Sequence, residues 1–185
     1  MKKKILQVFS TSILALFLFF TFFRSGIASS KYQAYLKAQN IQNEWQSALN
    51  FAKKTLPQCG TLHSNPDGYC FLKVDDQYIH AVFPLLKVDR FGFDKPAYFR
   101  RKNAPGAHIS VFYADEGVYP NEIGQTFHFQ IQEIKTVHPR NKELIVITLQ
   151  SVELERLRER YGVQKKLHGN DFHITIAKKS LEQIW

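Results

Sequence analysis

The sequence contains no internal repeat, no low-complexity tract and no linker-like stretch. Nothing in it marks a second domain, and 185 residues suit one domain with room for a proper core. Metal-binding signatures are missing too. His63, His80, His128, His138 and His168 form no HxxxH or HxH pair and no Cys/His cluster, so no zinc site is expected. Acidic residues are in deficit, 16 against 25 lysines and arginines, for a formal charge of +9. Cysteine is scarce, with Cys59 and Cys70 alone.

Long apolar runs are also scarce, and the one present is informative. Residues 5–23 carry no charge, follow Lys2, Lys3 and Lys4, and lead into Ser25-Gly26-Ile27-Ala28, with small residues at Gly26 and Ala28. That is the layout of a secretory signal with its cleavage point. The run is nearly long enough to span a bilayer, so an uncleaved anchor is the alternative to a signal peptide over residues 1–28. The lysines keep the N-terminus cytoplasmic in either case. The body, residues 29–185, is therefore expected outside the cytoplasm: periplasmic or secreted, or anchored with the domain outside. Contact with a membrane requires the segment to stay uncleaved. Losing residues 1–28 removes Lys2, Lys3, Lys4 and Arg24 and no acid, which leaves 21 basic against 16 acidic residues, a charge of +5. A modest positive excess favours an anionic partner without demanding one.

In an oxidising compartment, Cys59 and Cys70 around the turn-rich Asn65-Pro66-Asp67-Gly68 read as a disulfide closing a short loop, worth about 3 kcal/mol. Two buried thiols are the alternative.

Along the chain, Tyr32, Leu36, Trp45, Leu49, Ala52 and Leu56 recur at helical steps before Pro57, which predicts a helix over 31–56. Segments 69–74 and 78–83, separated by Asp75-Asp76-Gln77, read as a hairpin. Strands are expected over 107–113, 126–137, 143–150 and 172–177. Ser151 caps a helix over 152–161 that Gly162 stops, with Glu153 and Glu155 near its start and Arg156, Arg158 and Arg160 toward its end. Strands and helices mix without strict βαβ alternation, so the expected class is α+β with mainly antiparallel sheet and flanking helices.

Two of the strands repeat one pattern: Ala107-His108-Ile109-Ser110-Val111 and Phe172-His173-Ile174-Thr175-Ile176. Residues two apart on a strand share a face. His108 and Ser110 then point one way and Ile109 and Val111 into the core, and the second strand does the same with His173 and Thr175. Side by side, the strands offer two imidazoles and two hydroxyls to one surface. Such a set suits a phosphodiester. One histidine takes a proton from attacking water, the other gives one to the leaving oxygen, and the hydroxyls donate to phosphoryl oxygens. The chemistry needs no metal or other cofactor. Two unrelated histidines on sheet faces are the plainer alternative.

The doubled H-x-[ST]-x motif resembles the two-histidine (2H) phosphoesterase superfamily, which includes 2′-5′ RNA ligase-like proteins and 2′,3′-cyclic phosphodiesterases. The resemblance implies a bilobal, pseudo-symmetric fold with one motif strand per lobe, the two motifs facing each other across a cleft. It implies that His108 and His173 are the acid and base and that Ser110 and Thr175 bind phosphate. The motifs lie 65 residues apart, so the resemblance covers most of the body from about residue 31. It further implies a nucleotide or RNA end as substrate, with a 2′,3′-cyclic phosphate as the expected one. The protein is expected to act as a monomer. Which histidine is acid, and whether hydrolysis or ligation is the natural direction, stay open.

Smaller signals surround the motifs. Arg100 and Arg101, with Lys102, precede the first and are candidates to line a substrate entrance, against the plainer reading of a solvated loop. Lys178 and Lys179 follow the second. Tyr98, Phe99, Phe112 and Tyr113 are candidates for stacking on a base, against the usual role of strand-side aromatics in the core. A noncatalytic exported protein binding an anionic ligand or a protein is the rival reading of the whole, and an anchored scaffold is a third.

Overall fold

The computed structural model describes residues 38–99, 104–139 and 141–180. The chain divides into two compact units, residues 1–43 and 44–185. Of the first, residues 38–43 are described, and they are helical. The expected signal over 1–28, the first turns of the expected 31–56 helix, and Arg100, Arg101 and Lys102 lie outside the described residues.

The second unit opens on a helix, α1, over 44–55. A hairpin follows, β1 (Cys59–Ser64) and β2 (Cys70–Lys73), then two short helices, α2 (Gln77–His80) and α3 (Val82–Leu86). After an irregular stretch come β3 (His108–Phe112), β4 (Thr126–His128), β5 (Gln130–Val137), β6 (Lys142–Gln150), α4 (Val152–Arg160) and β7 (Phe172–Ser180). Seven strands form one antiparallel sheet in the order β4-β1-β2-β3-β7-β6-β5. The fold is α+β, as the mixed pattern predicts.

The two expected lobes are the halves of this one sheet. β4, β1, β2 and β3 make one half and β7, β6 and β5 the other, each ending at the seam on its motif strand. Ile109 pairs with Ile174 across the seam. Both are fully buried, as are Val111 and Ile176, so the even-numbered and odd-numbered residues between them are turned to the opposite face. On the buried side the sheet packs on Ala48, Leu49 and Ala52 of α1, Tyr78, Ile79, Val82 and Leu86 of α2 and α3, and Leu154 and Leu157 of α4. Truncating Ile109 or Ile174 to alanine removes core contacts worth roughly 2–5 kcal/mol.

Two expectations need correcting. Residues 77–86 are helical, not the second strand of a hairpin. Tyr78, Val82 and Leu86 are fully buried at four-residue steps, which is a helical stripe, and Asp75 starts the turn by accepting the Gln77 N–H at 2.8 Å. The disulfide is absent: Cys59 and Cys70 are both free thiols. Asn65-Pro66-Asp67-Gly68 does turn the chain, but it turns a hairpin in which Ser64, not Cys59, sits opposite Cys70. Cys59 is five residues further along β1, roughly 17 Å away at the rise of a strand, against a reach of about 7 Å for a disulfide. The alternation also puts them on different faces, Cys70 beside the buried Leu72 and Cys59 with Thr61 and His63.

The remaining elements follow the sequence closely. The expected 126–137 strand breaks at Phe129, so that β4 pairs with β1 and β5 with β6. Ser151 caps α4 by accepting the Leu154 N–H at 3.2 Å. Gly162 follows in the left-handed region at φ +75°, where a side chain would be strained.

Candidate active site

The seam places the two motifs against each other. Continuing the Ile109–Ile174 register by one residue each way sets His108 across from Thr175 and Ser110 across from His173. Directly opposed strand residues have Cβ atoms about 5 Å apart. All four polar side chains therefore share the face that the core does not occupy, as the alternation in the sequence predicts.

Each imidazole is held from behind in the same way. His108 Nδ1 lies 2.8 Å from the Gly106 carbonyl oxygen and His173 Nδ1 lies 3.0 Å from that of Asp171. A carbonyl only accepts, so Nδ1–H donates in both and the neutral ring keeps its lone pair on Nε2. Nε2 is the atom left for exchange with a ligand.

The surroundings of the two rings differ. His108 sits in a collar of aromatic edges: Tyr98 at 4.6 Å, Phe71 at 5.6 Å and Tyr69 at 6.3 Å between ring centroids. Burial pushes its pKa below the ordinary 6.5, the charges of Lys73 and His173 push the same way, and the Gly106 hydrogen bond opposes them. Lys73 is the residue paired with His108 across the β2–β3 ladder. His173 instead borders an open cleft of about 550 Å³ lined by Tyr113, Lys135, Thr148, Asn170 and Asp171 among others. A smaller hollow beside it joins Ser110, Tyr113, His168 and His173.

A Lys–Asp pair stands behind each histidine, and behind His108 it braces the backbone. Asp76 pairs with Lys73 and accepts the Ala107 N–H at 2.8 Å. Burial favours the neutral Asp76 carboxyl, but Lys73 and the Ala107 N–H outweigh it and hold the pKa below the ordinary 3.8. Gly106 must be glycine here: its φ is +65°, and a Cβ would collide with Asp76 Oδ1 and Lys73 Nζ. On the other side Asp171 bonds Lys166 at 2.5 Å, with Lys135 at 3.6 Å. The Lys166 bond lowers the Asp171 pKa against partial burial, and Lys135 adds to it.

Each motif hydroxyl has a tyrosine beside it. Ser110 Oγ lies 2.6 Å from the Tyr69 hydroxyl, and the Tyr98 hydroxyl lies near that of Thr175. Burial raises the pKa of both phenols. Thr175 is only 9% exposed. Beyond β3, Arg158 is fully buried. It donates to the Val111 carbonyl and to Glu116 at 2.7 and 3.0 Å, while Glu116 accepts the Tyr113 N–H at 2.9 Å. That pair fixes the turn that presents Tyr113 to the cleft.

Of the aromatic candidates, Phe112 belongs to the core, fully buried under the Arg158 guanidinium at 5.2 Å. Phe99 lies against His80 at 4.5 Å. Tyr113 stacks on His168 at 5.1 Å and lines the cleft, and Tyr98 packs on His108. Lys178 exchanges backbone bonds with Asp94, and Lys179 lies over the Phe93 ring. Tyr69, Phe71, Lys73, Asp76 and Asp171 were missed by sequence reasoning. Phe71 and Lys73 carried a usable signal, since they sit two apart on a strand whose Leu72 is core.

A family model described as "Swiss Army Knife, 2H phosphoesterase domain" matches residues 70–182, from the start of β2 past the end of β7. Neither a curated protein nor a solved structure matches the chain.

Proposed function

The chain belongs to the 2H phosphoesterase superfamily, and from that premise we propose that it hydrolyses a phosphodiester, the 2′,3′-cyclic phosphate of a nucleotide or RNA end, with His108 and His173 as base and acid. One observation carries the reading: two imidazoles on one sheet face, each with Nδ1 tied to a backbone carbonyl and Nε2 without a partner among the described residues, beside two hydroxyls. In the reaction, water attacks phosphorus and gives its proton to one Nε2. The other Nε2–H protonates the departing ribose oxygen, and a phosphate monoester remains. Each turnover leaves the protons exchanged between the rings, and solvent restores them.

Burial and the Lys73 charge disfavour the imidazolium at His108, which suits it to start neutral as the base. His173, which borders the open cleft, is then left with the role of the acid. Ser110 and Thr175 donate to the non-bridging oxygens and stabilise charge that develops there. Acid and base are both side chains of the protein, so turnover is expected to resist EDTA.

The basic, apolar N-terminal segment supports an exported protein, and the domain is expected to act as a monomer. The test is incubation of the purified protein with 2′,3′-cyclic nucleotides in EDTA, with identification of the monoester product. Absence of hydrolysis of any cyclic or linear phosphodiester offered, with ligand binding retained after both histidines are replaced, would favour a noncatalytic binding protein of the same fold.

A further inference from the structure

The two motif hydroxyls share an arrangement that the histidine chemistry leaves unused. Ser110 and Thr175 lie on different strands, yet each has a tyrosine hydroxyl from outside its own strand beside it: Tyr69, hydrogen-bonded to Ser110, and Tyr98, near Thr175. A serine or threonine hydroxyl has one proton and two lone pairs. It can turn freely unless a neighbour fixes it, and a free rotor has to be ordered when phosphate binds. We infer that Tyr69 and Tyr98 are positioning residues, each donating its phenol proton to a motif hydroxyl so that the hydroxyl's own proton is turned toward a phosphoryl oxygen.

Two observations support the direction of the bonds, and a third fixes the orientation of Tyr98. The phenols are buried and stay protonated, since burial raises their pKa, so each remains a donor at any working pH. Ser110, not Tyr69, borders the hollow shared with His173, which makes the serine the outer member of that pair. Tyr98 touches both motifs: its ring packs on His108, its hydroxyl lies near Thr175, and its carbonyl accepts the Gly106 N–H at 3.1 Å, next to the carbonyl that holds His108. Its orientation is thereby set by the same turn that orients the imidazole. Tyr69 is fixed between Phe71 and Tyr113, stacked at 5.6 and 6.2 Å.

The inference rests on the reading that a phosphoryl group enters this cleft, but its test does not need turnover. The test is a pair of double-mutant cycles, Tyr69→Phe with Ser110→Ala and Tyr98→Phe with Thr175→Ala, on the full chain. Binding of inorganic phosphate is followed by NMR, with kcat and KM measured alongside on any phosphodiester that is hydrolysed. Each tyrosine substitution keeps the ring and removes only the hydroxyl. Each is expected to weaken phosphate binding about three- to tenfold, the scale of one hydrogen bond, and to lower kcat more than it raises KM. In the alanine background the same substitution is expected to do nothing further, because the tyrosine acts through the hydroxyl already removed. Additive losses in either cycle would overturn the assignment for that tyrosine, since they mean direct contact with the ligand or a purely structural role. Failure of the wild-type protein to bind phosphate would overturn it for both. Phosphate binding with non-additive cycles but no hydrolysis would uphold the inference and defeat the hydrolase reading instead.

Discussion

The two halves of the sheet carry the same four-residue pattern and hold it in the same way, yet they put their histidines in different surroundings. In both, a carbonyl two residues back fixes the ring, a Lys–Asp pair stands close behind it, and a tyrosine lies beside a motif hydroxyl. The His108 half then closes aromatic edges around the imidazole and sets Lys73 beside it. The His173 half opens onto the cleft. In the proposed mechanism the duplicated geometry supplies two proton carriers, and burial keeps one of them, His108, from charging at its ordinary pKa. On that reading an acid and a base come from one motif through what surrounds it rather than what it is.

The largest expected effect comes from removing either half altogether. His108→Ala and His173→Ala should each lower kcat/KM by about 10²–10⁴-fold, the usual contribution of acid–base catalysis. The double variant should fall little further, because the two act as a unit. Steady-state kinetics on a cyclic nucleotide checks this, and a half that tolerates its substitution would break the symmetry of roles.

Gly106→Ala comes next and strikes one half only. A Cβ at φ +65° is strained and meets the Asp76–Lys73 pair, so the variant should lose about 1–3 kcal/mol of stability and most of its turnover. Thermal unfolding with activity at a permissive temperature separates the two losses.

The braces should prove unequal. Asp76→Ala orphans the N–H of Ala107, a fully buried residue, at a cost of about 1–3 kcal/mol. Asp171→Ala removes exposed ion pairs and leaves the carbonyl that holds His173, so turnover should change less than about twofold. Equal effects from the two would mean that the Asp171 side chain does more than its contacts indicate.

The smallest effect is a shift along the pH axis. His108 must be neutral to act as base, and burial and Lys73 hold its pKa below 6.5. Activity on the acidic side should therefore persist below the point where an ordinary histidine protonates. Lys73→Gln removes one of the depressing charges and leaves Asp76 unpaired, so the acidic limb should move to higher pH. Stability follows the same sign. The unfolded chain takes up the His108 proton first as pH falls through 6.5, so stability is full above that value and declines between it and the lower folded pKa. Asp76, Glu116, Glu122 and Asp171, whose pKa values are lowered, add a further loss at more acidic pH as they protonate.

How much of this could be read from the sequence depends on whether a feature is local. Alternation on a single strand was enough to assign the faces of His108, Ser110, His173 and Thr175, and the cap at Ser151 was equally visible. Residues 77–86 misled because Tyr78–Phe83 is short and apolar, and such a run fits either period; the burial of Tyr78, Val82 and Leu86 decides for the helix. The disulfide failed because short sequence separation is not proximity once the intervening turn makes a hairpin. Tyr98 was visible as an aromatic near the motif, but its place beside Thr175 depends on a contact between residues 77 positions apart, which no local pattern encodes.

The most direct test of the division of labour is the pH dependence of kcat/KM in EDTA for the wild-type, His108→Ala and His173→Ala proteins on a 2′,3′-cyclic nucleotide. The account predicts a bell-shaped profile that EDTA leaves unchanged. Residual activity should lose its acidic limb when His108 is replaced and its alkaline limb when His173 is replaced. Activity abolished by EDTA, or a wild-type profile that persists through either substitution, would contradict it.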